Sequence, residues 1–237
     1  MIATFSDVHR AFLQSCVLHS ILSTTQALKI LTMLQARLQP DDPAPTEHRL
    51  QQLVVEINAR LGKFQQQIVQ LDYEPTQTTF LVFTNLSDTP LDRFQTAYPE
   101  AELSYFRVIL HTLAKTDGHR LGQIECLNLT GKLEAGRYVS KSRAEELIAE
   151  WQTQGYLTLK EEEEIEFGPK AMVEFDRYLT NHFPDQVESC RLCKQVLFYG
   201  IACGQCSKIF HKICLKKYIP RMKKCPTCNK QWATSLE

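Results

Sequence analysis

Long hydrophobic runs are absent from this sequence of 237 residues. Residues 1–15 are interrupted by Asp7, His9 and Arg10, so they lack the apolar core of a signal peptide. No later stretch is long and apolar enough to cross a bilayer. We therefore expect a soluble protein of the cytosol or nucleus that has no membrane partner.

Cysteine is scarce in most of the chain, since only Cys16 and Cys126 lie before residue 190. The other seven cysteines crowd into residues 190–237, where three C-x2-C pairs recur. This spacing indicates metal chelation rather than disulfide bonds. Cys16 and Cys126 are expected to be buried as small hydrophobic side chains.

Acidic residues are almost missing from the same segment. Residues 190–237 contain ten Lys or Arg and one acid, Glu237, whereas residues 1–189 contain 17 Lys or Arg and 26 acids. If the seven cysteines of the segment bind two zinc ions as thiolates, the net charge of the segment falls from +9 to +6. A solvated lysine face explains this charge, and so does an anionic partner, either nucleic acid or an acidic protein surface.

The first 85 residues predict three helices followed by a β-hairpin. Apolar residues recur at helical spacing after Ser6, Ser23 and Thr46, of which Ser6 and Thr46 can cap a helix. Residues 67–73 and 78–85 are rich in β-branched and aromatic side chains around a Glu-Pro-Thr-Gln turn. This order is typical of a winged helix.

A second winged helix is predicted to follow. Its third helix would open at the capping-box sequence Ser142-Arg-Ala-Glu145, and the strands after it flank four glutamates that suit a solvated hairpin tip. Gly168-Pro169 then opens a last helix that carries Met172, Phe175, Tyr178 and Leu179 on one side.

The second winged helix is unsuited to binding DNA through its third helix. That helix carries Glu145, Glu146 and Glu150 against a single cation, so it would repel phosphates. We expect a protein-docking surface instead, and any contact with DNA to be indirect. One cationic cluster, on the loop before this helix, argues for phosphate contact: Lys132, Arg137, Lys141 and Arg143.

Four close pairs of metal ligands occupy the last fifth of the chain. Each C-x2-C or H-x2-C pair supplies two ligands from one turn, so the four pairs must combine into two tetrahedral zinc sites. Nine residues separate the first two pairs, whereas fifteen to twenty residues separate the two pairs of a single-zinc ribbon. The first two pairs are therefore not expected to share one zinc ion. An interleaved cross-brace is therefore predicted: Cys190, Cys193, His211 and Cys214 bind the first zinc, and Cys203, Cys206, Cys225 and Cys228 bind the second. Both sites are saturated, which excludes metal catalysis.

These patterns together predict a mostly α chain with small β elements, of the α+β class. Winged helices occupy residues 1–95 and 96–184, and a two-zinc cross-brace domain occupies residues 185–237. Metal should contribute most of the stability of this last domain, because some fifty residues bury too little core alone.

At its metal ligands the chain resembles a RING domain. The ending Cys225-Pro-Thr-Cys228 is typical of RING domains, and the order of four cysteines, one histidine and three cysteines is a variant shared with RING-CH and PHD fingers. PHD fingers usually place Trp two residues before the seventh ligand, where this chain has Lys223.

The whole chain resembles the non-SMC element one family of the SMC five/six genome-maintenance complex. Similar segments include residues 6–13 and 182–185. The resemblance implies a nuclear, chromosome-associated ubiquitin-ligase subunit in DNA repair, with two zinc ions, a MAGE-family subunit, a kleisin subunit and a ubiquitin-conjugating enzyme as partners. By position, it also implies four contacts to the conjugating enzyme: Leu192, Ile219, Pro220 and Pro226.

Two departures from the RING pattern keep other hypotheses open. The Trp that is common between the sixth and seventh ligands is missing, with Tyr218 nearest, and the residue after the eighth ligand is Asn229 rather than a cation. One alternative is a non-catalytic subunit whose zinc domain organises the complex. Another is a protein that binds chromatin or DNA through the basic zinc domain.

Overall fold

A computed structural model describes residues 5–85, 98–160 and 163–236. Two compact units are present, Met1–Tyr73 with Gln77–Ser87, and Glu74–Thr76 with Asp88–Glu237. Within the described ranges, no helix combines the length and the hydrophobicity needed to span a membrane. The predicted boundary between the winged helices, at residues 95 and 96, lies outside the described residues, so the three-domain division stays a prediction.

The first unit has the order of a winged helix. Its elements are α1 (Asp7–His19), β1 (Ile21–Ser23), α2 (Thr24–Leu38), α3 (Glu47–Leu61), β2 (Gln66–Tyr73) and β3 (Thr78–Asn85). The strands form an antiparallel sheet in the order β1-β3-β2. The hairpin and the helices match the sequence prediction, and the structure adds the short strand β1.

The core of the first unit forms where the three helices meet the sheet. Leu50, Leu53 and Ile57 share one face of α3 and are buried against Phe12 and Leu31. Thr46 caps this helix by accepting a hydrogen bond from the backbone of Arg49. This apolar stripe gives α3 its place against the sheet.

The second unit begins with another winged helix. Its elements are α4 (Glu100–Lys115), β4 (Arg120–Gly122), α5 (Gln123–Asn128), α6 (Lys141–Thr153), β5 (Leu157–Leu159), β6 (Glu164–Phe167), α7 (Pro169–Glu174) and α8 (Asp176–His182). The strands pair in the order β4-β6-β5. Trp151 of α6 is fully buried, with its ring centroid 4.8 Å from that of Phe106 on α4.

Two predictions of helix ends in this winged helix were wrong. The cap of α6 is Ser140, whose hydroxyl accepts from the backbone N–H of Arg143, and Ser142 lies inside the first turn. The last helix is two helices, because Phe175 leaves helical geometry at φ −102° and ψ 7°. Of the predicted glutamate tip, Glu161 and Glu162 lie outside the described residues.

A metal-ligand module completes the second unit. It contains β7 (Glu188–Ser189), β8 (Val196–Leu197), β9 (Ile201–Ala202), β10 (Ile209–Phe210) and α9 (Lys212–Met222). The strands pair as β7 with β8 and β9 with β10. Small sheets among many helices confirm the predicted fold class.

Candidate metal centres and their attachment

Two groups of four ligand atoms converge in the last module. Cys190, Cys193, His211 and Cys214 form one group, and Cys203, Cys206, Cys225 and Cys228 form the other, with the ligand atoms of each group within 4.8 Å of one another. The first and third ligand pairs of the sequence therefore meet, as do the second and fourth. The structure thus brings together the two groups that the spacing predicts.

The sulfur–sulfur distances inside the second group fit tetrahedral zinc. With Zn–S bonds of about 2.3 Å, a tetrahedral angle places two ligand sulfurs about 3.8 Å apart. The Sγ atoms of Cys206 and Cys225 are 3.8 Å apart, and those of Cys203 and Cys228 are 3.9 Å apart. A disulfide would need about 2.0 Å. The residues present therefore fit two zinc ions with four ligands each.

Three of the four ligand pairs share one backbone turn. In each, the backbone N–H of the residue four positions after the first cysteine donates to that cysteine's carbonyl: Lys194 to Cys190, Ser207 to Cys203 and Asn229 to Cys225. Lys194, Ser207 and Asn229 also share left-handed backbone angles, with φ between 56° and 66°. This turn aims both sulfurs at one point. The fourth pair, His211 and Cys214, instead lies at the start of α9.

The orientation of His211 is fixed by its second ring nitrogen. Nε2 lies 3.0 Å from the carbonyl oxygen of Val196, so it carries the proton and donates it there. Nδ1 faces the sulfurs and lies 3.3 Å from Sγ of Cys193. Nδ1 is therefore the atom available to a metal.

The first metal group is tied to the second winged helix through Val196. The backbone N–H of Val196 donates to Oδ1 of Asp176, the first residue of α8. Burial raises the pKa of Asp176, and this hydrogen bond partly opposes the shift. One peptide segment thus connects a candidate metal ligand to a helix of the winged helix.

Further contacts join the metal module to the winged helix, and together with the Asp176 hydrogen bond we call them the seam. Its residues are Lys160, Glu166, Phe167, Asp176, Phe198 and Tyr199. The ring of Phe198 stacks on that of Phe167 in β6, with centroids 4.5 Å apart and planes 15° from parallel. The hydroxyl of Tyr199 donates to Glu166, a fully buried carboxylate whose other oxygen lies 2.9 Å from Lys160 Nζ. A buried carboxylate needs such partners because its desolvation is costly.

No sequence pattern marks the seam residues. Asp176, Tyr199 and Glu166 belong to no ligand spacing or motif, and Glu166 follows a run of glutamates that suggests a solvated tip. One signal was present: Phe198-Tyr199 places two large aromatic rings between metal-ligand pairs, in a module too small to bury both in its own core.

The predicted contacts to a conjugating enzyme lie on the metal module. Leu192 and Ile219 are half-buried and pack against its core, and Pro226 is half-buried between two ligands. Pro220 is exposed inside α9. All four therefore reach the surface, and two of them also contribute to packing.

The predicted phosphate-contact cluster is only partly on the loop before α6, because Lys141 and Arg143 lie in the first turn of that helix. Most of the cluster is engaged with the chain itself. Arg143 contacts three carboxylates, those of Glu102, Glu146 and Glu150, and these hydrogen bonds raise the pKa of its guanidinium. Arg137 pairs with two more acids. Lys141 donates to the carbonyl of Leu127 at 2.7 Å and to Asn128. Lys132 is exposed.

The two cysteines outside the module are buried, as expected. Burial raises the pKa of both Cys16 and Cys126 to about 12. Their thiols are therefore protonated at neutral pH, and neither has the exposed thiolate of a reactive cysteine.

Two winged-helix motifs joined to a cross-braced, two-metal module define a class of RING-like proteins. Within that class, residues 9–175 match the family described as the Nse1 non-SMC component of the SMC5-6 complex, and residues 190–228 match the RING-like domain. The chain belongs to this Nse1 family.

Curated relatives and a solved structure are similar to this chain over most of its length. The non-structural maintenance of chromosomes element 1 homolog of Drosophila melanogaster is 29% identical over 229 residues, which cover 97% of each chain. The human homolog is 28% identical over 96% of this chain and 84% of its own. A chain of a structure titled Nse1-Nse3-Nse4 complex aligns with a TM-score of 0.75 at 22% identity, covering 97% of this chain and 98% of that chain. At that identity the structure shows the fold alone.

Proposed function

We propose that this chain is a RING-type ubiquitin-ligase subunit of the SMC5-6 complex and acts at chromosomes in the nucleus. The observation that carries the proposal is the pair of four-ligand clusters in a cross-brace within an Nse1-family chain. Saturated clusters leave no open position for metal chemistry, so the module contributes by positioning a conjugating enzyme and its thioester.

The proposed docking surface for the conjugating enzyme consists of Leu192, Ile219, Pro220 and Pro226. Apolar side chains at the rim of a metal-stabilised module suit it, because the metal fixes their backbone without a large core. Pro220 adds rigidity, since proline restricts φ in the exposed part of α9.

A ubiquitin-discharge assay tests the proposal. Pro226→Ala and Leu192→Ala should slow discharge from a loaded conjugating enzyme by about tenfold, or about 1.4 kcal/mol, while zinc content stays at two per chain. Ile209→Ala is the matched control, since Ile209 is an exposed apolar residue of the same module outside the proposed surface. No discharge by the wild type across a panel of conjugating enzymes, with or without a MAGE-type partner, would refute the ligase proposal.

The proposed protein partners are a MAGE-family subunit and a kleisin subunit. The similar solved chain comes from a structure titled Nse1-Nse3-Nse4 complex, which supports partners of this kind. The winged helices are proposed to dock them, because α6 presents Glu145, Glu146 and Glu150 and its Arg143 is already bound to carboxylates. Such a face suits a protein better than a phosphate backbone.

A non-catalytic, organising role is the second candidate. It is favoured by Asn229, which stands in a left-handed turn where many RING domains carry a cation that bridges to ubiquitin, and by the missing Trp near Tyr218. The discharge assay separates the two functions. An organising subunit would lose assembly with its partners when the metal ligands are changed, but the wild type would show no discharge activity.

A further inference from the structure

The metal module carries one tryptophan, and this residue lies outside the ligand pattern. Trp232 stands four residues after Cys228, the last ligand, whereas the Trp that is common in RING domains lies between the sixth and seventh ligands. The match to the RING-like domain ends at residue 228, so Trp232 lies beyond the part of the chain that this domain covers. We call residues 230–236 the post-ligand segment.

The post-ligand segment pairs with the residues that connect α9 to the fourth ligand pair. Three backbone contacts join the two stretches: the antiparallel bridge of Lys224 with Gln231, the hydrogen bond from the N–H of Cys225 to the carbonyl of Lys230 at 2.8 Å, and the hydrogen bond from the N–H of Trp232 to the carbonyl of Lys223 at 3.1 Å. The turns at Cys190 and Cys203 are flanked by the two-residue strand pairs β7 with β8 and β9 with β10. A single bridge flanks the turn at Cys225, so this turn depends more on side-chain contacts of the post-ligand segment.

Side-chain contacts hold Trp232 in place. Its half-buried ring meets the fully buried ring of Phe210 edge to face, with centroids 6.1 Å apart and planes at 76°. Its Nε1–H donates to the carbonyl oxygen of Thr234 at 2.7 Å. Leu236 packs against the same core. Phe210 directly precedes the ligand His211, so the post-ligand segment is anchored at the centre of the module.

Trp232 also supports the end of α9 through the backbone. Lys223 ends this helix in a left-handed cap, with φ 55°, and its N–H donates to the carbonyl of Ile219 at 2.8 Å. The carbonyl of the same Lys223 accepts the hydrogen bond from Trp232. Ile219 and Pro220 lie on one side of this junction, and Pro226 lies on the other. The stretch that Trp232 holds therefore sets the distance between these three proposed contacts to the conjugating enzyme.

We propose that Trp232 is a positioning residue for ubiquitin transfer, because it holds the end of α9 and the fourth ligand pair in the relative geometry that a conjugating enzyme recognises. This inference rests on the proposed ligase function and adds the residue that supports its docking surface. Without the anchor, only a fraction of the molecules presents a binding-competent surface. The apparent dissociation constant then rises by the inverse of that fraction.

Initial rates of ubiquitin discharge test the proposal, with the zinc-loaded full chain limiting and the loaded conjugating enzyme varied. Trp232→Ala should raise KM about tenfold and leave kcat unchanged, because binding of the conjugating enzyme selects the competent arrangement. A variant that had only lost part of its folded population would instead lower kcat at unchanged KM, since fewer molecules would be active.

Three further variants serve as controls. Gln231→Ala is the matched control, since Gln231 belongs to the same segment and its side chain is exposed; its KM should equal that of the wild type. Trp232→Phe keeps an aromatic ring against Phe210 and should lie closer to the wild type than to the alanine variant. Each variant should retain two zinc ions per chain. If Trp232→Ala loses zinc, Leu236→Ala at the far end of the segment takes its place and should raise KM by a smaller factor.

Amide hydrogen exchange gives a measurement that needs no ubiquitin. Trp232→Ala should accelerate exchange of the Lys223 N–H about tenfold or more, because the last turn of α9 opens more often. The N–H groups of Lys194 and Ser207 occupy the equivalent turns of the first two cysteine pairs and should exchange as in the wild type.

The outcomes separate this proposal from the ligase function. If the wild type discharges ubiquitin, an unchanged KM for Trp232→Ala would overturn the positioning role alone, and so would a lower kcat at unchanged KM. A raised KM with unchanged exchange at Lys223 would make Trp232 a direct contact, which also contradicts the proposal. No discharge by the wild type would refute the ligase function and, with it, the role of Trp232 in transfer.

Discussion

The carboxylate of Asp176 accepts a hydrogen bond from the backbone N–H of Val196, and the backbone carbonyl of Val196 accepts one from Nε2 of His211. The two backbone hydrogen bonds of Val196 therefore link α8 to a candidate metal ligand. Because His211 must keep its ring in place to present Nδ1, the winged helix contributes to the geometry of the first metal group.

Removing the acceptor at Asp176 should weaken zinc retention. Asp176→Ala leaves the Val196 N–H without its charged partner, a loss of about 1.5–3 kcal/mol. Zinc transfer to a chromogenic chelator should accelerate roughly tenfold or more. Asp176→Asn keeps an acceptor oxygen and should behave much more like the wild type. Equal transfer rates for the alanine variant and the wild type would contradict this linkage.

The pairing of the metal ligands can be tested by zinc stoichiometry. Cys193→Ser with Cys214→Ser removes two ligands from one predicted site, whereas Cys193→Ser with Cys206→Ser removes one ligand from each. The first double variant should retain one zinc ion per chain, and the second should retain fewer. Elemental analysis of the purified chain measures both, with His48→Ala as an exposed-histidine control that keeps two. The reverse order of zinc contents would refute the interleaved pairing.

The seam around Glu166 should stabilise the second unit. Tyr199→Phe removes a hydroxyl that donates to a fully buried carboxylate, which should cost about 1.5–3 kcal/mol. A unit of this size should melt roughly 3–10 °C lower. The matched control is Tyr138→Phe, since Tyr138 is 81% exposed and loses the same hydroxyl. Identical melting temperatures for the two variants would show that the seam hydrogen bond contributes nothing.

Stability of the second unit should fall in mild acid through His119. Its ring packs 4.8 Å from that of Phe198, and burial lowers its pKa below 6.5, although the backbone of Leu113 and the charge of Asp117 oppose this shift. The unfolded chain therefore binds the proton first, so the stabilisation is complete above pH 6.5 and is lost as the pH falls through the folded pKa.

A histidine variant isolates this pH effect. His119→Asn should flatten the dependence of the melting temperature on pH between 7 and 5, and asparagine tolerates the left-handed backbone at this position, where φ is 55°. His48→Asn, at an exposed position, should keep the dependence of the wild type. An unchanged slope in the His119 variant would assign the effect to other groups.

The metal groups were predictable from sequence because their signal is local. Each ligand pair spans four residues, and an argument about spacing was needed only to decide which two pairs share a zinc ion. The start of α6 was harder to place, because Ser140 and Ser142 both precede the apolar run, and in the structure Ser140 is the cap. Strand β1 has three residues, too few to show a period.

The seam could not be predicted because its contacts join distant residues. Glu166 and Tyr199 are 33 positions apart, and neither stands in a pattern that marks burial. A glutamate after a glutamate-rich tip indicates solvent by composition, yet the approach of Tyr199 and Lys160 makes it the most buried acid among the described residues. Tertiary contact overrides composition at this position.

The surface that receives the metal module is encoded entirely before the first ligand. Glu166, Phe167 and Asp176 all precede Cys190 in the chain. A ribosome synthesises them first, so the winged helix can fold without metal and then serve as a template for the last fifth of the chain. Zinc is first required when Cys214 has been synthesised, because the first group of four ligands is then complete.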